Sequence, residues 1–186
     1  MKNKAFSLPE LVVVITLIAL LSVFVLPKFV DVLAGAKERS TMIEMSEIMT
    51  AIVGKADTNE GGFLGDMKRV PTNAEGLTAL YSDSGMPAYN FVTLNGWNGP
   101  YIGEDSDGSG SVSAAEAYDI LHDEWKNAYL YSTSTSSSTE NATIDGSSVT
   151  VTISTINITI TSWGPNGASG GGDDLQETRA IKYRKL

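Results

Sequence analysis

The segment DSDGSGSVSAAE, residues 105–116, offers an oxygen donor at nearly every position where a hard cation could use one. Asp105, Asp107 and Ser109 supply alternate side chains, and Gly110 follows where such a loop must turn sharply. Ser111 gives a main-chain carbonyl, Val112 is apolar, Ser113 adds an oxygen, and Glu116 closes the loop with a carboxylate able to bind through both oxygens. This order fits a calcium loop, because calcium accepts about six to eight oxygens in a flexible geometry, whereas magnesium demands a smaller and stricter shell. His122 beside Asp123 is the other pair with acid–base potential. No nucleophile motif accompanies it, and no set of nucleophile, base and oxyanion donors can be assembled, so the reading is non-enzymatic. One histidine and no cysteine also exclude a disulfide framework, a thiolate metal site and a histidine-rich metal centre.

These residues sit in a chain of 186 residues that is 42% hydrophobic, enough for one domain plus an appendage. Its formal charge of −9 and the lack of a basic stripe argue against a nucleic-acid surface. The apolar residues are concentrated at the start, in MKNKAFSLPELVVVITLIALLSVFVLPKF. No charge occurs from Leu11 to Leu26. A helix of that length spans about 24 Å, short of a hydrocarbon core of about 30 Å. Extending it back to Phe6 closes the gap but brings Glu10 inside, and an acid at a bilayer centre costs roughly 2.5–3.5 kcal/mol. A cleaved secretory signal ending at Ala34-Gly35-Ala36 is the plain alternative. Lys28 and Asp31 intrude before that site, and Glu10 interrupts the apolar entry.

Helical spacing continues past Pro27 through Phe29, Val32, Leu33 and Ala36, then Met42, Met45, Met49, Ile52, Val53 and Ala56. The pattern predicts an amphipathic helix to Ala56, with Pro27 bending rather than ending it and Lys37, Glu38, Arg39, Glu44 and Glu47 mostly on the wet side. A short helix is expected over 74–81, with Thr72 and Glu75 as a reciprocal cap, and another over 114–121. Strands are predicted at 128–132, at Val149–Ile153 and at Ile156–Ile160, with an Asp145-Gly146 hairpin turn. The apolar phase shifts between Ile153 and Ile156, which predicts a bulge near Ser154-Thr155. The Ser/Thr tract from Ser132 to Thr139 reads as a loop, and Trp97, Trp125, Tyr101, Tyr129 and Tyr131 as core or subunit-contact residues. The fold class is α+β: one long helix followed by a small antiparallel sheet.

The start of the chain resembles a type IV prepilin leader: basic Lys2 and Lys4, a small residue at Ala5, then Phe6-Ser7-Leu8-Pro9-Glu10. Four further blocks resemble the major pseudopilin of type II secretion: PTNAEGLTAL at 71–80, WNGPYI at 97–102, DEWKNAYLY at 123–131 and SWGPNGASGGGDDL at 162–175. The acidic insert and a Ser/Thr-rich hairpin lie between these blocks and lengthen the chain. The resemblance implies a pilin-like fold divided into a leader at 1–5, a membrane and filament-core helix at 6–27, its amphipathic half at 28–56 and a globular part at 57–186. It implies cleavage between Ala5 and Phe6 by a prepilin peptidase, which methylates the new amine. Insertion would be in a bacterial inner membrane, with transfer by the secretion or pilus machinery into a periplasmic or surface filament of identical subunits. There the amine on Phe6 of one copy would neutralise Glu10 of its neighbour. The last block implies a second calcium site, using the carbonyl of Trp163, the side chain of Asn166 where the family carries a carboxylate, and Asp173 or Asp174. Other readings are a subunit of a true type IV pilus, or an exported calcium-dependent binding module.

Overall fold

The computed structural model describes residues 7–55, 61–83, 85–103, 112–145 and 147–185. The fold is α+β, with helices α1 (Leu8–Val53), α2 (Gly62–Met67) and α3 (Ala114–Ile120) and strands β1 (Leu130–Ile144), β2 (Ser147–Ser162) and β3 (Leu175–Lys185). The chain divides into two units, Met1–Arg39 and Ser40–Leu186.

The first unit is helical from Leu8 onward and runs through Pro27 without ending there. Leu11, Val13, Ile15, Leu17, Leu20, Leu21 and Val23 are all more than half exposed, and at helical spacing they lie on every side of the helix. Its hydroxyls are satisfied within it: Thr16 Oγ1 donates to the Val12 and Val13 carbonyls, at 3.0 and 2.9 Å, and Ser22 Oγ to that of Ile18 at 2.8 Å. Such back-bonding lets Ser and Thr lie in hydrocarbon without unpaired groups. Among the described residues this is the one helix long and apolar enough to cross a membrane, with a mean hydropathy of 2.6 in its most apolar window and none of that window buried.

In the second unit, the last turns of α1 bury Thr41, Met45, Ile48, Met49 and Ile52, a stripe at helical spacing. Met42, expected in that stripe, is exposed, and Thr41 takes the place one position earlier. Glu44, expected on the wet face, is half-buried and accepts a 2.6 Å hydrogen bond from Tyr129 Oη. The helix ends at Val53, before the expected Ala56, which lies outside the described residues. Gly54 stops it by adopting φ 88°, its N–H closing on the Thr50 carbonyl at 2.7 Å.

The core joins that stripe to Phe63 and Met67 of α2, to Leu77, Ala79 and Leu80 of a 3-10 turn, and to Trp97, Tyr129, Ile158 and Ile160. Trp97 Nε1 donates to the Ala79 carbonyl at 2.9 Å, and Tyr101 meets the rings of Phe63 and Trp97 edge-on. These aromatics are core residues, as expected; Trp125 is half-buried. The predicted reciprocal cap forms, with Thr72 N and Oγ1 donating to Glu75 Oε2 at 2.8 and 2.9 Å and Glu75 N to Thr72 Oγ1 at 3.2 Å. The turn it opens is the short 3-10 segment Gly76–Leu80 rather than an α-helix.

The sheet has the order β1-β2-β3, antiparallel throughout. Two expectations are overturned here. The Ser/Thr tract is not a loop: Ser132–Thr139 is the middle of β1, paired residue for residue with Thr159–Thr152 of β2. Threonine is β-branched and suits a pleated strand, so ladder pairing overrides loop-like composition. Nor is there a bulge at Ser154-Thr155, because both ladders keep their register through it. The apolar side chains instead change face, with Ile156, Ile158 and Ile160 on one side and Val151 and Ile153 on the other. A hairpin connects β1 and β2 where the sequence predicts one, with Ile144 paired to Ser147 and Asp145 at φ 50°; Gly146 lies outside the described residues.

Arg69 grips Glu75 through two 2.6 Å bonds and lies over the Phe63 ring. That guanidinium, with help from Thr72, holds the Glu75 carboxyl at about 2. A depressed carboxyl contributes stability that is complete above its unfolded value and is lost as pH falls toward the folded one. The intact chain in detergent should therefore lose melting temperature between about pH 4.5 and pH 2. Glu75→Gln should flatten that limb and cost about 1 kcal/mol at neutral pH, a modest figure because the pair is partly exposed. An unchanged acid limb in the variant would contradict this assignment.

Candidate functional site

At the head of α1, Ser7 and Glu10 form a cap that the sequence reading passed over. Ser7 N and Oγ both donate to Glu10 Oε2, at 2.9 and 2.8 Å. The Ser-x-x-Glu spacing of a capping box was the available signal. Both bonds fall on one oxygen, which leaves Oε1 able to accept from a further donor. Ala5 and Phe6, the expected cleavage pair, lie outside the described residues.

Of the first calcium-loop candidates, Asp105, Asp107, Ser109 and Ser111 also lie outside the described residues. The described end of that loop is anchored: Val112, its apolar position, is buried, and its N–H reaches the Tyr81 carbonyl at 3.4 Å. Ser113 caps α3, its Oγ accepting from Glu116 N at 3.3 Å, so Ser113 and Glu116 meet at the helix start.

The second loop is fully described. It leaves β2 at Ser162, turns through Gly164–Asn166, and enters β3 after Asp173 and Asp174. Asn166 and Asp173 face each other: Asp173 accepts from Asn166 N at 3.1 Å and from Asn166 Nδ2 at 2.5 Å. Asn166 Oδ1 accepts from Ala168 N at 2.6 Å. Asp174 Oδ2 accepts from Gly170 N at 2.8 Å, while Asp174 Oδ1 is buried with no partner among the described residues. A buried carboxylate oxygen without a donor is costly, so this atom needs a water or a cation. Gly164 is required by close approach of backbone, and Gly171 by the side chains packed against it as they stand. A Cβ on Gly164 would lie 2.3 Å from the Asp173 carbonyl oxygen, and one on Gly171 would lie 1.7 Å from Asn166 Nδ2. Asp173 and Asp174 offer carboxylate oxygens of the kind a hard cation takes, while Asn166 turns its Nδ2 toward Asp173 and its Oδ1 toward Ala168 N. Trp163 stands at the head of the turn, half-buried. Among the described residues no three His, Asp or Glu side chains converge. Any cation here would rely on Asp173, Asp174, amide and main-chain oxygens.

The loop is held from beneath by Asp123, which is 1% exposed. Its carboxylate accepts from Trp125 N at 2.9 Å, Asn127 N at 2.8 Å and Ser162 Oγ at 2.6 Å. Asn127 Nδ2 then donates to the Gly164 carbonyl at 2.7 Å, and Ser162 Oγ accepts from Gly164 N at 3.1 Å. Asp123 is thus a clamp between the 123–127 turn and the loop, a role its position beside His122 concealed. His122 turns elsewhere, stacking on Tyr118 with Nδ1 2.6 Å from the Tyr118 carbonyl. The phenol of Tyr129, buried and bonded to Glu44, is pushed well above its ordinary value and stays a neutral donor.

Comparison with protein-family models, curated proteins and solved structures finds no match.

If calcium completes the Asp174 shell, adding it to the chelator-treated intact chain in detergent should raise the melting temperature by several degrees, since a ligand bound only by the native state stabilises it. Asp174→Asn should cut that rise by at least half. A rise that survives Asp174→Asn undiminished would remove this loop from consideration.

Proposed function

We propose that the chain is a structural subunit of a pseudopilus-like filament, inserted in a bacterial inner membrane by the first half of α1 and cleaved before Phe6. The observation that carries the reading is the apolar helix headed by a lone acid, with none of its most apolar window buried. Such a surface needs lipid or other copies of itself, and the two covers correspond to a subunit before and after assembly. The leader residues and the ordered blocks at 71–80, 97–102, 123–131 and 162–175 support the same class.

The chemistry at the helix head follows from charge. A cationic amine on Phe6, brought beside Glu10 of a neighbouring copy, would meet the oxygen that Ser7 leaves open. In a low-dielectric interior either charge alone is penalised, whereas the pair is mutually neutralised. Glu10 therefore acts as a register device: only the axial offset that sets amine against acid is tolerated. Calcium in the 163–174 loop, and in the 105–116 loop, would clip a small sheet that has no disulfide.

Mass spectrometry of the chain purified from membranes tests this. The expected amino terminus is Phe6, with the amine methylated. A mature start at Lys37, after Ala34-Gly35-Ala36, would indicate export by an ordinary signal and overturn the proposal. With Phe6 established, deletion separates the two filament systems: loss of secreted enzymes marks a pseudopilus, and loss of surface fibres marks a pilus.

A further inference from the structure

β1 is an edge strand, and one side chain reveals which way its main chain points. Asn73 Oδ1 accepts from Thr133 N at 2.7 Å, and Asn73 Nδ2 donates to the Thr133 carbonyl at 3.3 Å. The N–H and C=O of Thr133 therefore face away from β2. Outward and inward residues alternate along an antiparallel ladder, and this register is unbroken, so Thr135, Ser137 and Thr139 present their peptide groups outward too. The side chains from Ser134 to Asn141 are exposed on both faces. From Leu130 to Thr139 the strand contains no charge and no proline, the usual guards of a free edge.

The opposite edge differs. β3 carries Arg179, Lys182, Arg184 and Lys185 against the single acid Glu177, in a chain whose net charge is −9. β1 and β3 are both antiparallel to β2 and so run in the same direction. Copies of the chain oriented alike can lay β3 of one along β1 of the next and continue the sheet with a parallel ladder. Pairing β3 with β3 would gather the cations of two copies on one ladder, and pairing β1 with β1 would join two edges whose one charged residue is Glu140, with no opposite charge on either.

We propose that the free edge of β1 receives β3 of a second copy, a head-to-tail contact that extends the sheet across subunits. A contact of this kind joins two different surfaces and does not close, so it propagates along a filament. The inference rests on the filament reading in one respect: it needs neighbouring copies held side by side in one orientation.

The chain has no cysteine, so engineered pairs report cleanly. Ser136→Cys on β1 would be combined in turn with Thr178→Cys, Ala180→Cys or Lys182→Cys on β3, in full-length protein in membranes. Oxidation should give a ladder of multimers from at least one pair, and no ladder from any single variant. Adding Ser137→Pro should reduce that ladder about tenfold without lowering the melting temperature, because proline removes an outward N–H that β2 does not use. Ser136→Pro, which removes an inward one, should destabilise the fold and serves as the contrast. A dimer from Ser136→Cys alone, a ladder indifferent to Ser137→Pro, or sedimenting assemblies with no ladder from any pair would overturn the inference. In the last case the filament reading stands. A failure of the full-length chain to assemble at all would overturn both.

Discussion

A carboxylate at the head of an apolar helical run has to be hydrated, protonated or paired, and Glu10 sets that requirement for the first unit of this chain. Ser7 meets part of it within the helix by donating twice to one oxygen of Glu10. This local cap shares the acid's charge with two donors of its own helix. It supplies no countercharge, which the proposed transfer of the helices from lipid to a protein interior would demand. The proposed amine–acid pair supplies that charge, so one residue serves as a helix cap before assembly and as half of an ion pair after it. Thr16 and Ser22 fit the same environment, since their hydroxyls are spent on the helix's own carbonyls.

The second unit solves a different problem, the stability of a three-stranded sheet without disulfides. Its core is the apolar end of α1 closed by Phe63, Leu80, Trp97, Ile158 and Ile160. The margin of that core is fixed by buried polar groups that are nearly all satisfied. Asp123 is the principal one, because its carboxylate gathers two backbone N–H groups and the Ser162 hydroxyl and so joins the strand to the glycine-rich loop. The exception is Asp174 Oδ1, buried and unpartnered among the described residues at the position where the loop re-enters the sheet. That one unsatisfied oxygen is the physical basis for the proposed cation.

Much of this architecture was legible in local chemistry. The Thr72–Glu75 cap, the hairpin between Ile144 and Ser147 and the helix after Ser113 each depend on residues within a few positions of one another, where spacing determines geometry. The misreadings arose where partners are distant in sequence. Ser132–Thr139 is a strand because β2 pairs with it, and no property of the tract alone announces that partner. The phase change at Ser154-Thr155 looked like an inserted residue, but two continuous ladders fix the backbone and make the side chains change face instead. Thr41 entered the core in place of Met42 because the face that α1 buries is set by what packs on it, and the Thr41 hydroxyl accepts from Glu124 N at 3.4 Å. Asp123 was passed over because its donors come from Ser162 and from Asn127, which a reading focused on its neighbour His122 does not connect.

The account depends most on Glu10 being neutralised by an amine on an adjoining copy, and co-assembly of two forms of the chain tests this most directly. Tagged copies with Glu10→Ala, expressed with the unaltered chain and then alone, should incorporate poorly in the first case and fail to sediment as filaments in the second, while still inserting in the membrane. Filaments of normal yield from Glu10→Ala copies alone would contradict the account, because the apolar helices would then be packing in register without the charge pair.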